Sequence, residues 1–84
     1  MVHFFIGFVS KQGNGSVHAL HRHPFYEIII TLKGRETVTV GDKQVSMREG
    51  SILIISPGVL HGGCFDGKYE EIYIQIDSLP RESI

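Results

Sequence analysis

The chain has 84 residues, enough for one small domain that buries about 60% of its extended surface, so we expect a bound metal or a dimer interface to add stability. The sequence has eight basic and nine acidic residues and no run of basic residues. This composition argues against direct nucleic-acid binding by this chain and against attraction to a membrane surface. The single cysteine, Cys64, excludes an internal disulfide and fits a cytoplasmic protein, and we expect neither a membrane span nor a secretory leader.

The first part of the chain predicts three strands. Residues 2–9 have apolar side chains of both parities, which indicates a strand buried on both faces, and the glycines within 11–16 indicate a loop. Residues 17–23 and 25–32 are the second and third predicted strands. On the third strand, the inward parity is Glu27, Ile29 and Thr31, and the outward parity is Tyr26, Ile28, Ile30 and Leu32. Because the outward row is apolar, we expect the N-terminal segment or a dimer contact to cover it.

The rest of the chain predicts a hairpin and further short strands. Residues 36–40 and 44–47 flank a Gly-Asp turn, with Val45 and Met47 on the core side, and the apolar run 51–55 ends at a Pro-Gly turn. A strand through Phe65 then ends near Asp66-Gly67, and residues 71–76 alternate isoleucine with other side chains. No stretch has helical periodicity, so the prediction is an all-β jelly-roll barrel of about eight short antiparallel strands.

These elements predict a single domain over residues 1–84. We expect an N-terminal strand and loop at 1–14, the barrel at 15–76 and an exit segment at 77–84. The barrel should have an apolar lining, because Ile29 and either Ile52 and Ile54 or Leu53 and Ile55 face its interior. Such a pocket suits ligand capture at least as well as acid–base chemistry.

Metal-type side chains are concentrated in one extended segment. His21 and His23 point to the same face of a strand, and Glu27 keeps that parity if the chain stays extended past Pro24. His61, shortly after the Pro-Gly turn, is a fourth candidate. Taken singly, each histidine would be a rim residue and the glutamate a turn cap, but their joint occurrence favours a metal site.

Two spaced patterns resemble the conserved motifs of the cupin superfamily. The first consists of Gly15, His21, His23, Glu27 and Gly34, and the second of Gly50, Ser56, Gly58 and His61. Ser56 stands where the family usually has proline, and Phe65 where it often has asparagine. The resemblance implies that His21, His23, Glu27 and His61 bind a divalent metal inside a jelly roll. Three imidazoles and a carboxylate suit iron, manganese, nickel, zinc or copper.

The segment 21–63 looks like the N-terminal effector-binding cupin of bacterial AraC-type transcription regulators. That resemblance implies a domain that senses a small molecule and forms a homodimer, while separate helix-turn-helix units, which this sequence does not contain, bind DNA. The alternative is a stand-alone metallo-cupin with a substrate in the barrel, for example a dioxygenase or an isomerase. Whether the protein is an enzyme stays open, because fold analogy does not fix function.

The other chemically active side chains are expected to be structural. His18 has the opposite strand parity from His21, and His3 lies outside the motifs, so both should be exposed or structural. Cys64 is interpreted as a small buried hydrophobe, and Tyr69 and Tyr73 as surface or interface aromatics.

Overall fold

The computed structural model describes residues 3–77, without the side chains of residues 14–17. The described residues form six strands: β1 (Phe4–His21), β2 (Tyr26–Lys33), β3 (Glu36–Val40), β4 (Lys43–Met47), β5 (Ile52–Ile55) and β6 (His61–Ile76). The predicted all-β class is confirmed. Within residues 3–77 there is no helix long and apolar enough to cross a membrane.

The long strand β6 holds the sheet together. One edge of β6 pairs with β3 through His61–Phe65 and with β2 through residues 70–76, while β1 pairs antiparallel along the other edge. The sheet order is therefore β4-β3-β6-β2-β5, with β1 attached to β6. Because β6 belongs to both halves, the sheet curls around a common interior, in keeping with a jelly roll.

The predicted loop at 11–16 is wrong, since these residues continue strand β1. Gly13 pairs with Gly67, and the register shifts between Gly13 and Ser16. Gly13 suggested a loop and Gly67 suggested a strand end, but the two residues pair with each other next to a β-bulge. A glycine there lets the strand bend without ending it. Two long strands replace four predicted short ones, which explains why the described residues contain six strands rather than about eight.

The interior follows the predicted alternation of β2. Glu27, Ile29 and Thr31 are buried. The hydrophobic core consists of Ile29, Val38, Met47 and Ile55, with Val45 and Leu53 packed against it. The sequence left open which residues of β5 face the interior. The structure shows that Leu53 and Ile55 face inward while Ile52 and Ile54 are exposed.

The N-terminal strand covers an edge, but burial on both of its faces is wrong. Phe4, Phe5, Ile6 and Phe8 are all more than half exposed, although they include both parities. Among the described residues β1 pairs along its edge with β6, and pairing along an edge does not cover the two faces from which the side chains project. The exit segment at 77–84 lies almost wholly outside the described residues.

Candidate metal centre

The structure brings all four predicted ligands to one end of the curled sheet. His21 ends β1 directly opposite His61, the first residue of β6, and their ring centroids are 4.3 Å apart. His23 lies in the connection to β2, with its ring centroid 4.8 Å from that of His61. One ring nitrogen from each histidine lies within 4.8 Å of the others. Glu27 is not in that group but lies beside it, with Oε1 3.2 Å from His23 Nε2 and Oε2 3.7 Å from His61 Nε2.

Backbone carbonyls orient the three histidine rings. Each Nδ1 lies at hydrogen-bonding distance from a carbonyl oxygen: His21 from Ala19 at 2.8 Å, His23 from Phe25 at 3.0 Å, and His61 from Val59 at 2.9 Å. A carbonyl oxygen only accepts, so the Nδ1 atoms donate, which leaves each Nε2 as the atom that could bind a metal. Histidines that bind metals are commonly fixed in this way by a second hydrogen bond.

The buried Nε2 of His61 has no hydrogen-bond partner among the described residues. An unsatisfied polar atom in a protein interior costs on the order of 1–3 kcal/mol. The Glu27 carboxylate already accepts from Gln75 Nε2 at 3.1 Å and also faces the lone pair of His23. Apart from the Gln75 amide, the groups that meet here are imidazole nitrogens and a carboxylate, which is a donor set that a divalent metal takes.

Neighbouring groups fix the position of His23. The Phe25 ring stacks on the His23 ring, with centroids 4.0 Å apart and an angle of 7° between the planes. The Gly58 N–H donates to the His23 carbonyl oxygen at 2.9 Å. Gly58 has a φ of +78°, which confirms the predicted Pro-Gly turn, and that turn therefore docks the segment before His61 against His23. The departure from the cupin motif at Ser56 leaves this turn in place.

A second polar cluster lies inside the sheet and was not predicted. The fully buried Tyr69 hydroxyl lies 2.9 Å from Glu36 Oε1 and 2.8 Å from Glu71 Oε1, and His18 Nδ1 lies 3.3 Å from Glu36 Oε2. A tyrosine hydroxyl has one proton for two carboxyl groups. Burial raises the pKa of Glu71, and the hydrogen bond with Glu36 raises the pKa of His18. A protonated Glu71 can then donate to the Tyr69 oxygen while Tyr69 donates to Glu36.

Ligand-type atoms of His18, Glu36 and Glu71 also lie within 4.8 Å of one another. This cluster differs from the first one because Tyr69 and His18 can both donate to Glu36 while a protonated Glu71 donates to Tyr69. Its polar groups are therefore satisfied without a cation, whereas His61 Nε2 is not.

Two sequence interpretations are wrong here. Tyr69 is buried rather than on the surface, and Cys64 is exposed rather than buried. His18 has a structural role, as expected: it is partly buried and reaches an interior carboxylate despite its parity, because the register of β1 shifts between His18 and His21. Counting alternate residues along β6 from His61 would have placed Tyr69 and Glu71 inside and Cys64 outside. Because a strand end was predicted at Asp66-Gly67, this count could not be continued to Tyr69 and Glu71.

Comparisons with known proteins agree with this architecture. A cupin-2 domain protein from Shewanella frigidimarina superposes with a TM-score of 0.74 at 19% identity, over 84% of this chain and 68% of that chain. An RmlC-like cupin from the same organism gives 0.81 at 15% identity, over 96% and 71%. The cupin domain of Schizosaccharomyces pombe Cnp3 gives 0.79 at 19% identity, over 86% and 51%. At such identities, these similarities support the cupin fold and no particular activity.

No curated protein matches the sequence. The model of the AraC-like ligand binding domain matches residues 8–81, which is most of the chain. The protein therefore belongs to the family of AraC-like ligand-binding domains, within the cupin superfamily.

Proposed function

We propose that this domain binds a divalent transition metal through His21, His23, Glu27 and His61 and uses the site to sense a small molecule. The observation that carries the proposal is the buried Nε2 of His61, which has no hydrogen-bond partner among the described residues and which a bound cation would satisfy. In this proposal the domain is the effector-binding part of a bacterial, cytoplasmic AraC-type regulator. It does not itself contact DNA.

The described residues would fix the ligand geometry before the metal arrives. Carbonyl oxygens hold the three Nδ1 atoms, and Gln75 holds the Glu27 carboxylate. A bound iron, manganese, nickel, zinc or copper ion would supply a Lewis acid with coordination positions open to a small molecule. Preorganised ligands lose less conformational entropy on binding, which favours tight retention of the metal.

A cavity next to the ligands supports capture of a small molecule. Its volume is about 270 Å³, and it is lined by Phe4, Phe5, Phe25 and Gln75, together with His3 and Asp77. Phe25 stacks on His23, and Gln75 bonds Glu27, so the cavity adjoins the candidate metal site. Three phenyl rings and one amide suit a small, largely apolar effector.

A stand-alone metallo-cupin, such as a dioxygenase or an isomerase, is the second candidate function. The observation that favours it is the pair of titratable groups on the same cavity, since His3 Nδ1 lies 3.2 Å from Asp77 Oδ2. A general acid or base beside the metal is what catalysis would need in addition to the ligands. Substrate turnover that requires added metal and disappears in His61→Ala would favour this function over sensing.

An apolar outer surface supports a homodimer. Across β1, β6, β2 and β5, one register row consists of Ile6, Ile74, Ile28 and Ile54, and the next of Phe8, Ile72, Ile30 and Ile52. We call these two rows the outer apolar face. Ile6, Phe8, Ile52 and Ile54 are more than half exposed. A contiguous apolar surface of this kind is typical of a subunit contact.

Elemental analysis of purified protein tests the metal site. We expect one transition-metal ion per chain in the wild type and in His3→Ala, a control with the same substitution at an exposed histidine. The His21→Ala, His23→Ala double variant should contain none. Equal metal contents in the double variant and the control would contradict the proposed ligands.

A further inference from the structure

A separate cleft lies beside the β3–β4 hairpin, and its lining includes none of the four candidate ligands. Its volume is about 870 Å³. Arg35 and Arg48 line it and flank the Glu36–Met47 pair, which is the last pair of the ladder. The cleft therefore brings two guanidinium groups from neighbouring chain segments to one place.

Two hydroxyl groups lie next to the arginines. Thr37 and Ser46 are direct partners across β3 and β4, and both line the cleft. Arg35 is two residues before Thr37 and Arg48 is two residues after Ser46, so the four share one strand parity. Guanidinium and hydroxyl groups are the donors that commonly bind carboxylate and phosphate oxygens.

The two guanidinium groups of this cleft have no carboxylate partner within the described part of the chain. Arg35 and Arg48 are exposed, and neither forms an ion pair with another described residue. Two carboxylates also line the cleft: Glu36 lies 2.9 Å from the Tyr69 hydroxyl and 3.3 Å from His18 Nδ1, and Asp66 has an interaction of its own. Two guanidinium groups at the end of one hairpin repel each other, and a bound anion would relieve that repulsion.

We propose that this cleft is a binding site for a small oxyanion, a phosphate monoester or a carboxylate, held by Arg35 and Arg48 with Thr37 and Ser46 as further donors. The site does not depend on the proposed metal function, because it shares no residue with the metal ligands. It would give the domain a second ligand, chemically distinct from an apolar effector.

Titration of the full chain, without added metal, tests the proposal. Inorganic phosphate and succinate are added in separate experiments, and amide chemical shifts are followed by NMR. We expect saturable shifts centred on residues 34–37 and 46–48 with at least one probe. The dissociation constant should rise at least about tenfold in Arg48→Gln, and saturable binding should vanish in Arg35→Gln, Arg48→Gln. The dissociation constant should change less than about twofold in Lys43→Gln, which removes an exposed charge of the same hairpin outside the cleft.

The pattern of binding identifies the ligand class. Saturation by phosphate alone would assign a phosphate monoester, and saturation by succinate alone a carboxylate. Shifts confined to the histidine cluster, an absence of saturation with both probes, or equal weakening by Arg48→Gln and Lys43→Gln would each overturn the site. Melting curves of the variants test whether they remain folded, which distinguishes a loss of binding from a loss of fold.

Discussion

His61 Nε2 lies 3.7 Å from Glu27 Oε2, and this buried nitrogen has no hydrogen-bond partner among the described residues. The distance is too long for a hydrogen bond and short enough for both atoms to bind one ion. The other ring nitrogen of His61 already donates to the Val59 carbonyl oxygen. Rotation of the ring to satisfy Nε2 would therefore break an existing bond.

Replacement of Glu27 by glutamine separates metal binding from folding. Glu27→Gln keeps the size of the side chain but removes the negative charge, so we expect metal affinity to fall by at least about tenfold. A chelator should lower the melting temperature of wild-type protein. A metal whose free concentration is about 100 times its dissociation constant adds about 2.7 kcal/mol to the unfolding free energy, and the chelator removes that contribution. It should have much less effect on the variant.

Calorimetry of metal titration and paired melting curves measure these effects. Gln44→Glu, an exposed change on β4, serves as a control with wild-type behaviour. Identical chelator sensitivity of Glu27→Gln and wild type would show that Glu27 is not a ligand.

The buried cluster predicts how stability depends on pH without metal. The pKa of His18 is raised by its hydrogen bond with Glu36, and the pKa of Glu71 is raised by burial. Both groups therefore bind protons more strongly in the folded state than in the unfolded chain. The unfolding free energy should fall as pH rises above 4.5, through Glu71, and fall further above 6.5, through His18. The change from His18 between pH 6.5 and 8.5 should be about 1 kcal/mol or less, since solvent screens this partly exposed side chain.

Urea denaturation of chelator-treated protein between pH 6.5 and 8.5 measures this slope. The His18→Gln, Glu71→Gln double variant should flatten it. For protein loaded with metal, the unfolding free energy should rise with pH at the acidic end of this range, because protons compete with metal for the imidazoles. A rising stability with pH in the metal-free wild type would contradict the assigned proton distribution.

The outer apolar face predicts a dimer that a single charge can separate. Ile54 is 56% exposed, so Ile54→Asp should leave the isolated domain folded but place a charge in the subunit contact. We expect sedimentation to give a dimer for the wild type and a monomer for the variant. Gln44→Asp adds the same charge on β4, at the opposite end of the sheet order, and should remain a dimer.

The proximity of the four candidate ligands could be predicted because their spacing matches the cupin motifs, whereas strand parity alone would not have placed His23, which lies between β1 and β2. The second cluster could not be predicted in the same way. It depends on a register shift before His21 and on a strand that continues through Asp66-Gly67, and both depend on pairing between β1 and β6, which are far apart in sequence. Tyr69 was misplaced for this reason. The parity of β5 was also open, because a run of four apolar residues has no alternation, and only packing against Ile29 and Met47 resolves it.

Gly63 supports the second cluster through the absence of a side chain. A Cβ atom there would lie 2.6 Å from Glu36 Oε2, which is held by His18. Gly63→Ala should therefore displace the Glu36 carboxylate and cost about 1–3 kcal/mol of unfolding free energy. Gly41→Ala is the control: its Cβ would meet nothing within 4 Å, but its φ of +61° costs about 1 kcal/mol.

Denaturation of both variants, alone and combined with Glu36→Gln, measures the difference. If the clash with Glu36 causes the loss, Gly63→Ala and Glu36→Gln should be strongly non-additive, because both disturb the same hydrogen bonds. Gly41→Ala and Glu36→Gln should be additive, since Gly41 does not contact Glu36. Additive effects for the Gly63 pair would mean that the glycine is needed for the approach of the β3 backbone, whose Thr37 oxygen would lie 3.1 Å from the Cβ, rather than for the carboxylate.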